Sequence, residues 1–79
     1  MHVKVKLFAT LVGHVPGVKS GIPFDVEIPE GTTLADLMKR LKLPQKEVKV
    51  SFVNGRAEPQ DFRLQGGNEV GIFPPIGGG

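Results

Sequence analysis

The residues best suited to chemistry in this 79-residue chain lie at its end, where Ile76-Gly77-Gly78-Gly79 follows the pair Pro74-Pro75. With 11 glycines among 79 residues, three in succession at a set position arise by chance roughly once in four hundred. Each residue type has a physical use there. Prolines fix φ and favour the extended polyproline conformation, which sends a tail away from its sheet in a set direction. Glycines carry no Cβ, so Gly77, Gly78 and Gly79 fit a narrow channel and let a partner's backbone come close. Extended, the three reach about 10 Å at roughly 3.3–3.6 Å per residue. A carboxylate presented in this way, on Gly79, fits the active site of another protein, and it becomes an electrophile once activated, for instance as an acyl-adenylate. The competing reading is a frayed terminus with no role.

No other set of side chains assembles into a conventional active site, and an independent enzyme is not expected. The chain has no cysteine, which excludes disulfides, thiolate metal sites and cysteine nucleophiles. His2 and His14 lack ligand spacing and read as surface residues, so no metal site is expected. Glu27 and Glu30 flank a strand end, where carboxylates are ordinarily solvated. Asp36 reads as a helix-start residue. Gly66-Gly67-Asn68 reads as a turn, because no helix N-terminus follows to make it a phosphate loop.

Composition narrows the partners. The formal charge of +2 is small, the lysines are dispersed, and the absence of Tyr and Trp leaves no stacking platform, so nucleic acid is not an expected partner. No apolar run approaches the roughly 20 residues of a membrane span. Lysines interrupt the opening MHVKVKLF, which is unlike the apolar stretch of a signal peptide. A cytoplasmic protein with no membrane partner is expected.

The elements that must position the tail are read from periodicity. Val3, Val5 and Leu7 alternate with Lys4, Lys6 and Phe8, a half-buried strand. A glycine- and proline-bearing turn from Gly13 to Pro23 leads to a second strand, in which Phe24, Val26 and Ile28 alternate with Asp25 and Glu27. Thr33 and Asp36 resemble a capping box, and Leu34, Leu37, Met38 and Leu41 form one apolar helical stripe. Leu43-Pro44 stops this helix. Val48, Val50 and Phe52 make a third strand that closes at Asn54-Gly55, a hairpin-turn pair. A short edge strand is expected near Phe62 to Leu64, and Val70 to Phe73 form the last strand. One amphipathic helix covers one face of a sheet, so Val3, Val5, Leu7, Phe24, Val26, Ile28, Val50, Phe52, Val70 and Ile72 are expected to meet its stripe.

At this point the chain resembles the MoaD/ThiS family of sulfur carriers. The segment from Gly66 through Phe73-Pro74-Pro75 to Gly79 is similar to the family's terminus, a G-D-E-V-x-x-F-P-P-V-x-G-G pattern, with Asn68 in place of Asp. Val5-Lys6-Leu7-Phe8-Ala9-Thr10-Leu11 resembles the family's first strand, Pro29 to Leu37 its helix start, and Phe52-Val53-Asn54-Gly55 its middle hairpin. The resemblance implies an α+β fold, a ubiquitin-like β-grasp: a mixed sheet of about five strands with one main helix on one face and the first and last strands adjacent. Residues 1–76 would form the domain and residues 77–79 its tail.

The resemblance also implies a function. An E1-like adenylyltransferase of the MoeB/ThiF type would use ATP to adenylate the Gly79 carboxylate, and a sulfur donor would convert it to a thiocarboxylate. The carrier itself would need no cofactor. It would pass sulfur to an accepting enzyme such as the large subunit of molybdopterin synthase, acting as that enzyme's small subunit. Phe73-Pro74-Pro75 favours this pathway. The triple glycine also occurs in ThiS-type carriers for thiamine thiazole synthesis, and relatives serve tungsten cofactors, tRNA thiolation or protein modification. A ubiquitin-like modifier and a plain interaction domain stand as alternatives. With the helix on one face, Lys4, Lys6, Phe8 and Phe73 would share the other and, with Ile76, form a partner-binding surface, unless a loop covers them.

Overall fold

The alternation at the N-terminus produces strand β1, His2–Leu7, with Val3, Val5 and Leu7 buried. The computed structural model of the protein describes residues 1–75, so the expected boundary at residue 76 lies outside it. β2, Phe24–Glu27, pairs antiparallel with β1, setting Lys4 opposite Asp25 and Val5 opposite Phe24. β3 is Val50–Val53, β4 is Arg56–Ala57 and β5 is Glu69–Phe73. The sheet order is β2-β1-β5-β3-β4, and β1 and β5 run parallel at its centre. The adjacency of first and last strands expected of a β-grasp is therefore present.

One helix, α1 (Leu34–Arg40), covers one face of the sheet. Its start is the capping box read from the sequence: the Thr33 hydroxyl accepts from the Asp36 N–H at 3.1 Å, and the Thr33 N–H donates to Asp36 Oδ2 at 3.1 Å. Leu34, Leu37 and Met38 are buried against Val3, Val5, Leu7, Val70 and Ile72. The helix ends before the expected Leu43-Pro44. Lys42 takes a left-handed φ of 59°, the Leu43 N–H donates to Met38 O at 2.9 Å, and the Lys42 N–H donates to Lys39 O at 3.0 Å. These two bonds satisfy the last carbonyls in a Schellman motif, with Leu43 buried beneath it.

Two expectations are corrected. The expected edge strand at Phe62 to Leu64 does not form; the edge is β4, the return arm of the Asn54-Gly55 hairpin, where both turn residues have positive φ. Segment 60–64 lies instead along the helix start. Its Gln60 and Phe62 carbonyls accept from the Ala35 and Leu34 N–H groups, donors that a helix cannot satisfy internally. One isolated bridge, Thr33 to Arg63, remains of strand character.

The second correction concerns the phase of β3. Val50 and Phe52, expected beneath the helix, point to the opposite face, while Ser51 and Val53 are buried. The register with β5 dictates this, because residues directly opposite in an antiparallel pair share a face. Ser51 lies opposite Ile72 and Val53 opposite Val70, both core residues, which leaves Val50 opposite Phe73 and Phe52 opposite Gly71. Residues 9–14, which sequence periodicity left without an element, form a 3₁₀ turn that buries Leu11.

Candidate functional site

The face of the sheet away from α1 carries Lys4, Lys6 and Phe8 from β1 and the residue after it, Phe52 from β3, and Glu69, Gly71 and Phe73 from β5. Alternation places them together: each is offset by one residue from a buried neighbour. The four described residues expected to form a partner surface, Lys4, Lys6, Phe8 and Phe73, therefore do share a face. They line a groove of about 520 Å³ together with Phe52, Pro23 and Gly55. Ile76, Gly77, Gly78 and Gly79 lie outside the described residues.

The rings of Phe8 and Phe73 stack with centroids 4.1 Å apart and planes 19° from parallel, and Phe52 meets Phe73 edge-on at 5.5 Å. Both geometries suit the aromatic quadrupole. The cluster is floored by Gly71, which lies between Lys6 on β1 and Phe52 on β3. A Cβ on Gly71 would stand 3.7 Å from Phe8 Cε2 and 4.0 Å from Phe73 Cε1, so the rings lean over a position that has no side chain. All three phenylalanines are half-buried in this groove. Phe52 is the member that periodicity misassigned to the core; its face is set by the long-range pairing of β3 with β5, which puts it opposite Gly71.

The two lysines differ. Lys4 Nζ is 3.0 Å from Asp25 Oδ1 across the β1–β2 pair. Lys6, half-buried and paired in register with Gly71, makes no ion pair among the described residues. The two histidines are each matched by a carboxylate: His2 Nε2 lies 2.9 Å from Glu27 Oε1, and His14 Nε2 lies 2.8 Å from Glu47 Oε1. Among the described residues no group of His, Asp and Glu is arranged to hold a metal. No described helix is long and apolar enough to cross a membrane.

The groove ends where the tail begins. The Phe73 carbonyl accepts from the Lys49 N–H at 2.8 Å, the last rung between β5 and the start of β3. Pro74 and Pro75 follow and have no N–H with which to continue a ladder. The stacked Phe73 thus fixes the final strand one residue before the proline pair.

Comparison with known proteins bears on this arrangement. A family model described as the ThiS family matches residues 5–79. A putative molybdopterin converting factor, subunit 1, from Pyrococcus furiosus is 32% identical over 96% of this chain and 99% of that one, with a TM-score of 0.72. Small archaeal modifier protein 1 of Haloferax volcanii shares the ubiquitin-like fold with a TM-score of 0.73 at 23% identity, over 95% of this chain and 98% of that one. A chain of the complex of subunits 1 and 2 of molybdopterin-converting factor from Helicobacter pylori gives a TM-score of 0.63 at 17% identity, over the full length of both chains. No curated protein matches the chain.

Proposed function

The chain belongs to the ThiS family of small ubiquitin-like sulfur carriers, and from that premise we propose that the group it carries is bound to the carboxyl carbon of Gly79. The Gly79 carboxylate attacks the α-phosphate of ATP held by an E1-like enzyme, displacing pyrophosphate and forming an acyl-adenylate. A sulfide-equivalent donor then attacks the acyl carbon, AMP leaves, and a thiocarboxylate remains. The carrier contributes the carboxylate and its delivery; the activating enzyme contributes ATP and the catalytic groups.

The observation that carries this reading is the position of the aromatic groove at the root of the tail. Phe8, Phe52 and Phe73 form an apolar surface beside Lys4, Lys6 and Glu69, of the kind that anchors a partner. Phe73 belongs to that surface and also begins the Phe73-Pro74-Pro75 exit, so a partner gripping the groove receives the tail at a defined place. Glycines at 77–79 have no side chains to obstruct a channel.

Molybdopterin synthesis is the pathway this reading favours, supported by the 32% identity with the putative converting-factor subunit from Pyrococcus furiosus. In the Helicobacter pylori complex subunit 1 is bound to subunit 2, and an equivalent sulfur-accepting subunit is the second partner proposed for this chain. The test is an intact mass after incubation with the E1-like enzyme, ATP and a sulfide source. The expected result is replacement of one oxygen by one sulfur, abolished by deletion of Gly79. No mass change with an enzyme that charges another carrier refutes the reading.

A further inference from the structure

Of the two lysines in the groove, the fold leaves one unmatched among the described residues. Lys4 and Lys6 occupy the same face of β1, yet Lys4 is neutralised by Asp25 at 3.0 Å, and Lys6 has no carboxylate partner and no side-chain hydrogen bond among the described residues. Its position explains the difference. On one side Lys6 lies beside Gly71, which has no side chain, and the groove also includes Pro23, which precedes β2 and bears no charge. Glu69, the one carboxylate lining the groove, is paired in register with Lys4 and not with Lys6.

A lysine stem half-buried beside phenyl rings places its ammonium at the rim of an apolar surface, where solvation is reduced and a counter-charge is worth more than in open water. We propose that Lys6 is the specificity-determining cation of this surface, and that the partner it fits is a protein presenting an apolar knob to Phe8, Phe52 and Phe73 with an Asp or Glu side chain beside it. The inference rests on the carrier reading and adds the chemistry of the partner's contact. The Lys4–Asp25 pair presents no net charge and does not discriminate among partners, whereas Lys6 rewards an acidic residue and repels a basic one.

The experiment is pyrophosphate release by the MoeB/ThiF-type adenylating enzyme of the protein's own organism, with this chain as the varied substrate at two ionic strengths. Lys6→Met keeps the apolar stem and removes the charge; Lys6→Glu inverts it. The expected result is an increase in KM of severalfold for Lys6→Met and roughly tenfold or more for Lys6→Glu, with kcat unchanged and a shallower dependence on salt. As a control, Arg40→Met removes a positive charge from α1, on the opposite side of the sheet from the groove, and should stay within about twofold of the parent chain. A Lys6→Glu chain that matches the parent, with the parent active, overturns the role of Lys6 and leaves the carrier reading standing. A parent chain that supports no pyrophosphate release overturns the carrier reading and this inference with it.

Discussion

Phe8 and Phe73 come from opposite ends of the chain and stack with ring centroids 4.1 Å apart, over the bare backbone of Gly71. The contact exists because β1 and β5 are parallel, Leu7 pairing with Ile72, so that the next residue on each strand projects from the same end of the same face. Phe73 is also the last residue before Pro74-Pro75. One aromatic pair therefore joins the proposed docking face to the root of the proposed reactive tail.

Replacing Phe8 by Ala should weaken adenylation mainly through KM, because the ring contributes surface to the partner and braces Phe73. The loss of one stacked pair corresponds to about 0.5–1.5 kcal/mol of folding stability beyond the area lost, too little to unfold the domain. Phe73→Ala should add a fall in kcat, since the exit of the tail loses its anchor. Steady-state adenylation alongside thermal unfolding checks both. Unchanged activation in the two variants refutes the docking role of this face.

Gly71 should behave as a size gate. Its Ala variant adds a Cβ at ordinary contact distance, 3.7 Å from Phe8, and should fold and function nearly as the parent does. Gly71→Leu fills the space the rings occupy and should displace them, raising KM more than either phenylalanine truncation. The graded series Gly, Ala, Leu, followed by adenylation kinetics and aromatic-ring proton shifts, tests this. A Leu variant with parental kinetics removes Gly71 from the site.

Much of this arrangement was legible locally. The alternation of β1, the Thr33/Asp36 capping box, the stripe of α1 and the Asn54-Gly55 turn are all signals carried by neighbouring residues, and each forms as the sequence implies. What failed was set by long-range partners. The phase of β3 depends on which residue of β5 faces Ser51, and no periodicity within Val48 to Phe52 contains that information. Segment 60–64 has strand-like composition, but its carbonyls are taken by the N–H groups of α1. As a result Phe8, Phe73, Lys4 and Lys6 were identifiable as a surface, while Phe52 was hidden and the difference between the two lysines was invisible. Gly79, the proposed reactive residue, lies outside the described residues.

The start of α1 should impart an acid-sensitive contribution to stability. The Thr33 backbone N–H, then the Thr33 hydroxyl, and a weaker attraction to Lys39 hold the Asp36 carboxyl below its ordinary value of 3.8. A carboxyl depressed in the folded state stabilises fully above its unfolded value, and the contribution fades as pH falls through the folded value. Unfolding midpoints followed downward from pH 5 should therefore decline more steeply in the parent than in Asp36→Asn, whose side chain does not titrate. Identical slopes would dismiss the capping carboxylate as the cause.

Ser51 offers the sharpest test of the β3 register. The residue is 3% exposed on the core face, opposite Ile72, and its hydroxyl has no hydrogen-bond partner among the described residues. A buried hydroxyl without a partner incurs the desolvation cost of a polar group with nothing in return, about 1–3 kcal/mol. Ser51→Ala removes that group, leaves only a small void, and should raise stability by roughly 1 kcal/mol. The neighbouring Phe52→Ala should instead lower adenylation while disturbing the helix-covered core little, because Phe52 belongs to the opposite face. Were the register shifted by one residue, the two outcomes would exchange: Phe52→Ala would cost several kcal/mol as a core truncation, and Ser51→Ala, now on the surface, would be nearly neutral. Denaturant unfolding of the two variants, paired with their adenylation kinetics, decides between these arrangements.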